Sequence, residues 1–193
     1  MKNVNIIYES NRGYQSLDIT DTLYKERVIF LDDEINPTTA LETIKQLVAL
    51  DRESNDEIKL FINSPGGCVT SGLAICDTIE IIKSPVTTVC IGLAASMGAV
   101  IFLHGKNRQM MKHSKIMLHD PSFGGGNLRG KKPHEIETEL NELREVQETL
   151  VNIISEKTGK PKEEVYEITK KDTYFDFEKA RYFGIATNIL TKF

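Results

Sequence analysis

The sequence predicts an α/β fold, with strands and helices alternating along 193 residues and much of the strand pairing parallel. Three observations carry this expectation. Short β-branched or apolar runs recur at residues 27–32, 58–62, 86–91 and 114–118. Stretches with helical spacing of apolar residues separate them. The connections are short and carry Gly, Pro, Asn or Asp, the residues that break regular structure.

Taken in order, residues 1–20 are polar with little periodicity and read as a mobile arm. Residues 27–32 have the pattern of a buried strand. Asn36 and Pro37 then open a helix, because Asn accepts from the first free amides and Pro fits the first turn. Leu41, Ile44, Leu47 and Val48 give that helix an apolar face. The strand at 58–62 is broken by Asn63-Ser-Pro-Gly-Gly67, and Leu73, Cys76, Ile79 and Ile82 follow at helical spacing. Residues 86–91 form the third strand, Gly92 opens a turn, and a helix of small residues follows. Residues 106–108 read as a surface loop, and 114–118 as a strand ending at His119-Asp120-Pro121.

Beyond Gly124-Gly125-Gly126 a long charged helix is predicted from about 133 to 157. Its apolar residues Ile136, Leu140, Leu143, Val146, Leu150 and Ile153 make a narrow, nearly heptad stripe. Two readings of that stripe stand: a seam for another copy of the chain, or packing on its own domain. Thr158-Gly159 ends the helix, Pro161 starts a short one, and a compact unit around 177–183 closes the chain. The expected organisation is one domain over 1–193, with 1–20 an N-terminal arm and 122–158 a glycine-rich stretch plus projecting helix.

Composition narrows the function. A hydrophobic content of 40% supports a real core, and a net charge of -4 with scattered Lys and Arg argues against nucleic acid as a partner. The longest apolar stretch, 86–103, is interrupted by Thr87, Thr88, Ser96 and two glycines, so no membrane span is expected. The first residues lack the pattern of a signal peptide. Cys68, Cys76 and Cys90 have no metal-ligand spacing; they read as free thiols and small buried hydrophobes in a reducing, cytoplasmic compartment. No phosphate loop of the GxxxxGK[ST] type and no metal-ligand cluster is present, so no cofactor and no metal are expected.

The chemistry-bearing segment is Gly92-Leu-Ala-Ala-Ser-Met-Gly-Ala99, which sets Ser96 among small residues at a strand-to-helix junction. Small neighbours let a substrate backbone approach, and the amides there suit an oxyanion. Alone, the segment reads better as a serine capping a tightly packed helix, which is what most serines in such places do. Pro65-Gly66-Gly67 adds a second strand-end loop with exposed amides, offering one oxyanion donor beside Met97 N–H. Of the four histidines, His104 and His113 flank a loop and His134 starts the charged helix. His119 ends an apolar strand, which suits a base held rigidly yet open. A third group is needed to orient it, and spacing alone leaves Asp32, Asp77, Asp120, Asp172 and Asp176 in play.

Three of these blocks, Phe61-Ile-Asn-Ser-Pro-Gly-Gly67, Gly92 to Ala99 and Met117-Leu-His-Asp-Pro121, resemble the signature blocks of the Clp protease proteolytic subunit. Lys25-Glu-Arg-Val-Ile-Phe-Leu31 and Ala180-Arg-Tyr-Phe-Gly-Ile-Ala186 extend the likeness over nearly the whole chain. The resemblance implies the Clp protease/crotonase-like fold of repeated β-α units with a projecting handle helix. It implies a serine endopeptidase with nucleophile Ser96, base His119 and acid Asp172, and with oxyanion donors on the backbone N–H groups of Gly67 and Met97. It further implies two stacked seven-membered rings enclosing a chamber, the polar arm at the axial entrance, and unfolded polypeptides as substrate. A hexameric ATP-driven (AAA+) unfoldase is the implied partner, docking at pockets that include Phe61 and Leu190. Leu93, Asp120 and Lys171 depart from the commonest pattern and suggest a paralogue with altered assembly or specificity, with a second Clp subunit as a further partner. A regulatory ring subunit and a crotonase-type acyl-CoA enzyme are the alternatives.

Overall fold

The computed structural model describes residues 5–10, 13–123 and 130–192. The first elements correct an expectation. Strands β1 (Asn5–Ser10) and β2 (Gly13–Asp18) pair antiparallel, from Asn5 opposite Asp18 to Ser10 opposite Gly13, where a mobile arm was expected. An isolated two-stranded ribbon buries little, so it needs no alternating apolar face and leaves almost no pattern to read. Helix α1 (Ile19–Lys25) follows, capped by the Asp18 side chain, which accepts from Thr20 N–H.

Strand β3 (Val28–Leu31) leads to helix α2 (Pro37–Glu53), which starts as its sequence dictates: the Asn36 side chain accepts from Thr38 and Thr39 N–H, with Pro37 in the first turn. Its buried face is Ala40, Thr43, Leu47 and Leu50, while Leu41 is 51% exposed. The expected face was thus rotated at its first residue. Strand β4 (Ile58–Ser64) and helix α3 (Val69–Ile81) fall close to their predicted places.

Strand β5 (Val86–Ala95) runs four residues past its expected end, straight through Gly92, into helix α4 (Met97–Leu103). No turn occurs at Gly92. Its lack of a side chain instead admits the Asn63 carboxamide, whose oxygen accepts from Leu93 N–H at 3.0 Å where the β4–β5 register shifts. Strand β6 (Asn107–Met110) occupies the segment read as a surface loop, and β7 (Lys115–Leu118) follows. The long helix α5 (Pro133–Thr158) is capped by Gly159 in the left-handed conformation, then come α6 (Lys162–Thr169), β8 (Thr173–Phe175), α7 (Phe177–Phe183) and β9 (Asn188–Ile189). Strands as short as β8 and β9 carry no periodicity of their own. Gly124-Gly125-Gly126 lies outside the described residues.

The larger sheet has the order β3-β4-β5-β6-β9, all neighbours parallel, as expected of repeated β-α units. β5 changes partner along its length. Residues 87–90 pair with β6, whereas Leu93, Ala94 and Ala95 pair with β7, which carries antiparallel β8 on its far side. Leu31, Leu60, Ile62, Cys90, Ile101, Phe102 and Ile116 belong to the core, and every residue of α4 is buried. α5 divides: Leu150, Val151 and Ile154 pack into the core, but Leu140, about three to four turns earlier, is 37% exposed. No described helix is long and apolar enough to cross a membrane.

Candidate active site

Parallel strands end at the same edge of a sheet, so the segments leaving β3, β4, β5 and β7 converge. They bring Glu34, Pro65, Gly67, Ser96 and His119 to one cleft of ≈ 740 Å³, whose walls also include Cys68 and Val69.

The loop after β4 is fixed from both sides. Ile35 N–H donates to Gly66 O at 2.8 Å, and Cys68 N–H donates to Ile35 O at 2.7 Å. Ser64 Oγ accepts from Gly66 N–H at 3.1 Å and donates to Asp33 O at 2.7 Å. Gly66 has φ 93° and Gly67 φ 144°, values side chains disfavour. Space demands glycine as strongly: a Cβ on Gly66 would lie 2.6 Å from Ser96 Cβ and 2.7 Å from Ala95 O. This loop therefore rests directly on the serine.

Ser96 itself has φ 53° and ψ -121°. A non-glycine residue held there is strained by roughly 1–3 kcal/mol and needs surroundings that over-determine it. They are present. Ser96 N–H donates to Met117 O at 2.9 Å, and Ser96 O accepts from Ala99 and Val100 N–H at 3.0 and 3.2 Å. The buried helix α4 behind it leaves no freedom to relax.

Two amides border this serine. The bridge between Ile35 and Gly67 uses the amides of Ile35 and Cys68, and alternation along an extended chain turns Gly67 N–H the other way. Met97 N–H belongs to the first turn of α4, where no intrahelical acceptor exists. Among the described residues neither amide has an acceptor.

His119 follows β7, and its successor is pinned by Asp120 N–H donating to Thr169 O at 2.7 Å. The β7–β8 pairing sets Leu118 opposite Thr173, so continuing that antiparallel register brings Asp172 beside His119. The two side chains face each other, with His119 Nδ1 3.7 Å from Asp172 Oδ1. Of the five acids that spacing left open, Asp172 is the one paired with His119 among the described residues. Asp176 caps α7 instead, accepting from Lys179 N–H at 3.0 Å. At 3.7 Å the pair is wider than a hydrogen bond, and no hydrogen bond joins Ser96 Oγ to His119 among the described residues. Such spacings tighten on substrate binding in many resting enzymes.

The cysteines divide. Cys76 and Cys90 are buried, and burial pushes both thiols up, Cys90 to about 11. Cys68, expected to be buried too, is exposed on the cleft wall, and hydrogen bonds from the Ser71 side chain and amide hold its thiol below the ordinary value. Among the described residues no group of three His, Cys, Asp or Glu side chains converges as a metal site.

The Clp protease family model matches residues 11–193. The chain belongs to the Clp protease family. Membership supports a peptidase role and agrees with the α/β architecture described above. On this Clp protease the remaining residues implied by the resemblance lie away from the cleft. Phe61 stacks on Phe30 with ring centroids 5.3 Å apart, and both line a separate groove of ≈ 540 Å³ with Leu23, Val28, Ile91 and Met111. Leu190 follows β9 and is tied to β6 through Leu190 N–H to Met110 O at 2.8 Å; it does not line that groove. Leu93 sits in β5 opposite Lys115, and Lys171 immediately precedes Asp172.

Proposed function

We propose that this chain is a serine endopeptidase subunit that hydrolyses unfolded polypeptides, with Ser96 as nucleophile, His119 as general base and Asp172 as the acid that orients it. One observation carries the reading: a serine held at φ 53° opens onto the same cleft as a histidine whose Nδ1 faces a carboxylate. With Nδ1 turned to Asp172, Nε2 is the nitrogen available to Ser96. It takes the Oγ proton as the Oγ–C bond forms on the peptide carbonyl. The Gly67 and Met97 N–H groups hold the developing oxyanion. The C–N bond then breaks as the imidazolium gives its proton to the leaving amine, and water, deprotonated by the same histidine, releases the acyl group.

The reading extends to the assembly implied by the family resemblance: two stacked seven-membered rings in the cytoplasm, joined through the outer half of α5. A hexameric ATP-driven unfoldase would feed the chamber, docking on the Phe61 groove with Leu190 as a further contact. The exposed Leu140 and the apolar groove support it. One observation favours a second reading. The 3.7 Å His119–Asp172 spacing suits a ring subunit whose triad closes only beside an active paralogue.

The test is labelling with a small fluorophosphonate, alongside turnover of a short fluorogenic peptide. Wild-type protein should label, and Ser96→Ala should lose both labelling and turnover by about 10³-fold or more. Labelling that survives in Ser96→Ala would overturn the assignment. Labelling without turnover, with turnover restored by a second subunit, would favour the mixed particle.

A further inference from the structure

The strands that build the cleft stand side by side in the order β3, β4, β5, β7 and β8. The segments at their shared edge therefore set Glu34, Gly67, Ser96, His119 and Asp172 in a row. Four of the five have a part in the proposed chemistry, and Glu34 has none. Glu34 lines the ≈ 740 Å³ cleft and is its one acid among the described residues. Its backbone is pinned: Glu34 N–H donates to Asp33 Oδ1 at 2.7 Å, and Glu34 O accepts from Thr39 Oγ1 at 2.9 Å. The next residue, Ile35, bridges to Gly67, so Glu34 is fixed to the loop that offers an oxyanion donor. Its carboxylate, by contrast, has no hydrogen bond and no ion pair among the described residues. Asp32 and Asp33 border a different and smaller space. The cleft thus carries one anchored, unpaired negative charge two strands from its nucleophile.

Resting on the peptidase reading above, we propose that Glu34 is a specificity residue, favouring a cationic side chain two to four residues before the scissile bond, on the acyl side. Direction comes from the base. His119 hands its proton to the leaving amine, so the leaving half of the substrate lies toward β7. The acyl half then runs the other way, past the loop after β4 toward β3. Distance comes from the sheet. Neighbouring strands stand roughly 5 Å apart, so Glu34 lies about 10 Å from Ser96, the span of about three residues of extended chain. Lysine or arginine there meets an opposite charge, and glutamate meets a like one. The Glu34 side chain is exposed, so the expected preference is modest and sensitive to salt.

The experiment uses the full-length assembled protein and peptidyl phosphonates, which react with an activated serine. The probes are identical except for lysine, glutamine or glutamate at the second, third or fourth residue on the acyl side. Rates of covalent labelling are read, so slow turnover does not obscure the result. At one or more of these positions lysine should label about five- to tenfold faster than glutamate, with glutamine between them. Glu34→Gln should bring that ratio close to one, and Glu34→Lys should invert it. Raising the salt to about 1 M should at least halve the wild-type ratio, because screening weakens exposed pairs. Each protein is its own control, so the ratio is insensitive to how much of a variant is folded. A ratio near one at all three positions, or one that survives in Glu34→Lys, would overturn the proposal while leaving the peptidase standing. No labelling by any peptidyl probe while a small fluorophosphonate still reacts would likewise overturn the Glu34 assignment alone. If the small fluorophosphonate also fails on wild-type protein, the serine peptidase reading falls and this inference with it.

Discussion

The two ends of α5 share one sequence pattern and meet different fates. At its C-terminal end Leu150, Val151 and Ile154 are at most 8% exposed and pack against the core beneath α4. At its N-terminal end Leu140 is 37% exposed, and the side chains around it are charged. The base end is also tied by polar contacts. Lys157 Nζ meets Glu80 Oε1 at 2.5 Å, Arg108 donates to Lys157 O at 2.8 Å, and Gly159 closes the helix in the left-handed conformation. A stripe of apolar residues thus says that a face wants covering and not what covers it. One half of this stripe is used by the fold, and in the other half Leu140 stays exposed on this chain.

The largest expected effect comes from emptying the docked end. Ile154→Ala removes a side chain that is 2% exposed and should cost about 2–5 kcal/mol, read as a fall in Tm or in denaturation midpoint. A loss under about 1 kcal/mol would mean that the base of α5 is not anchored as described.

A medium effect is expected from acid. His104, 4% exposed at the end of α4, faces Glu80 and Lys157, and Asp77 also acts on it. Burial is the largest influence and holds its pKa below the ordinary 6.5, so the unfolded chain takes up the proton first. Stability is therefore fully present above about pH 6.5 and is lost as pH falls through the folded value. Glu80 adds to the loss at lower pH, since its hydrogen bond from Lys157 holds its carboxyl below the ordinary 4.5. Thermal melts from pH 7.5 to 5 should show this slope, and His104→Gln should flatten it. An unchanged slope in that variant would remove His104 from the account.

The smallest effect on the single chain is expected at the outer end. Leu140→Gln should alter subunit stability by no more than about 0.5 kcal/mol, yet shift the assembled species toward smaller particles in analytical ultracentrifugation. A large drop in subunit stability would show the outer half to be packed on its own chain after all.

The sequence made the parallel β-α rhythm legible because each buried strand carries a run of β-branched or apolar residues and α2 announces its start at Asn36 and Pro37. Ser96 and His119 were legible as candidates because they end strands, and parallel strands end together. Asp172 was one of five acids by spacing and stood out only through the family resemblance, since its place beside His119 follows from the register of β8, three residues long, with β7. β6 was hidden by its polar residues Asn107, Arg108 and Gln109, which are tolerated because the strand is only partly covered. Gly92 misled for a chemical reason: glycine serves turns and close approaches alike, and here it makes room for Asn63.

The change of partner halfway along β5 also orders how the molecule is made. Ser96 is held by Met117 O from β7, and His119 meets Asp172 only once β8 has paired with β7. These contacts join parts of the chain far apart in sequence, and closing such loops is slow compared with forming β-α neighbours. A polypeptide whose last quarter is still being synthesised already carries the serine and the histidine, but the histidine has no carboxylate to hold it. Completion of the cleft is therefore expected late in folding, after most β-α neighbours have formed.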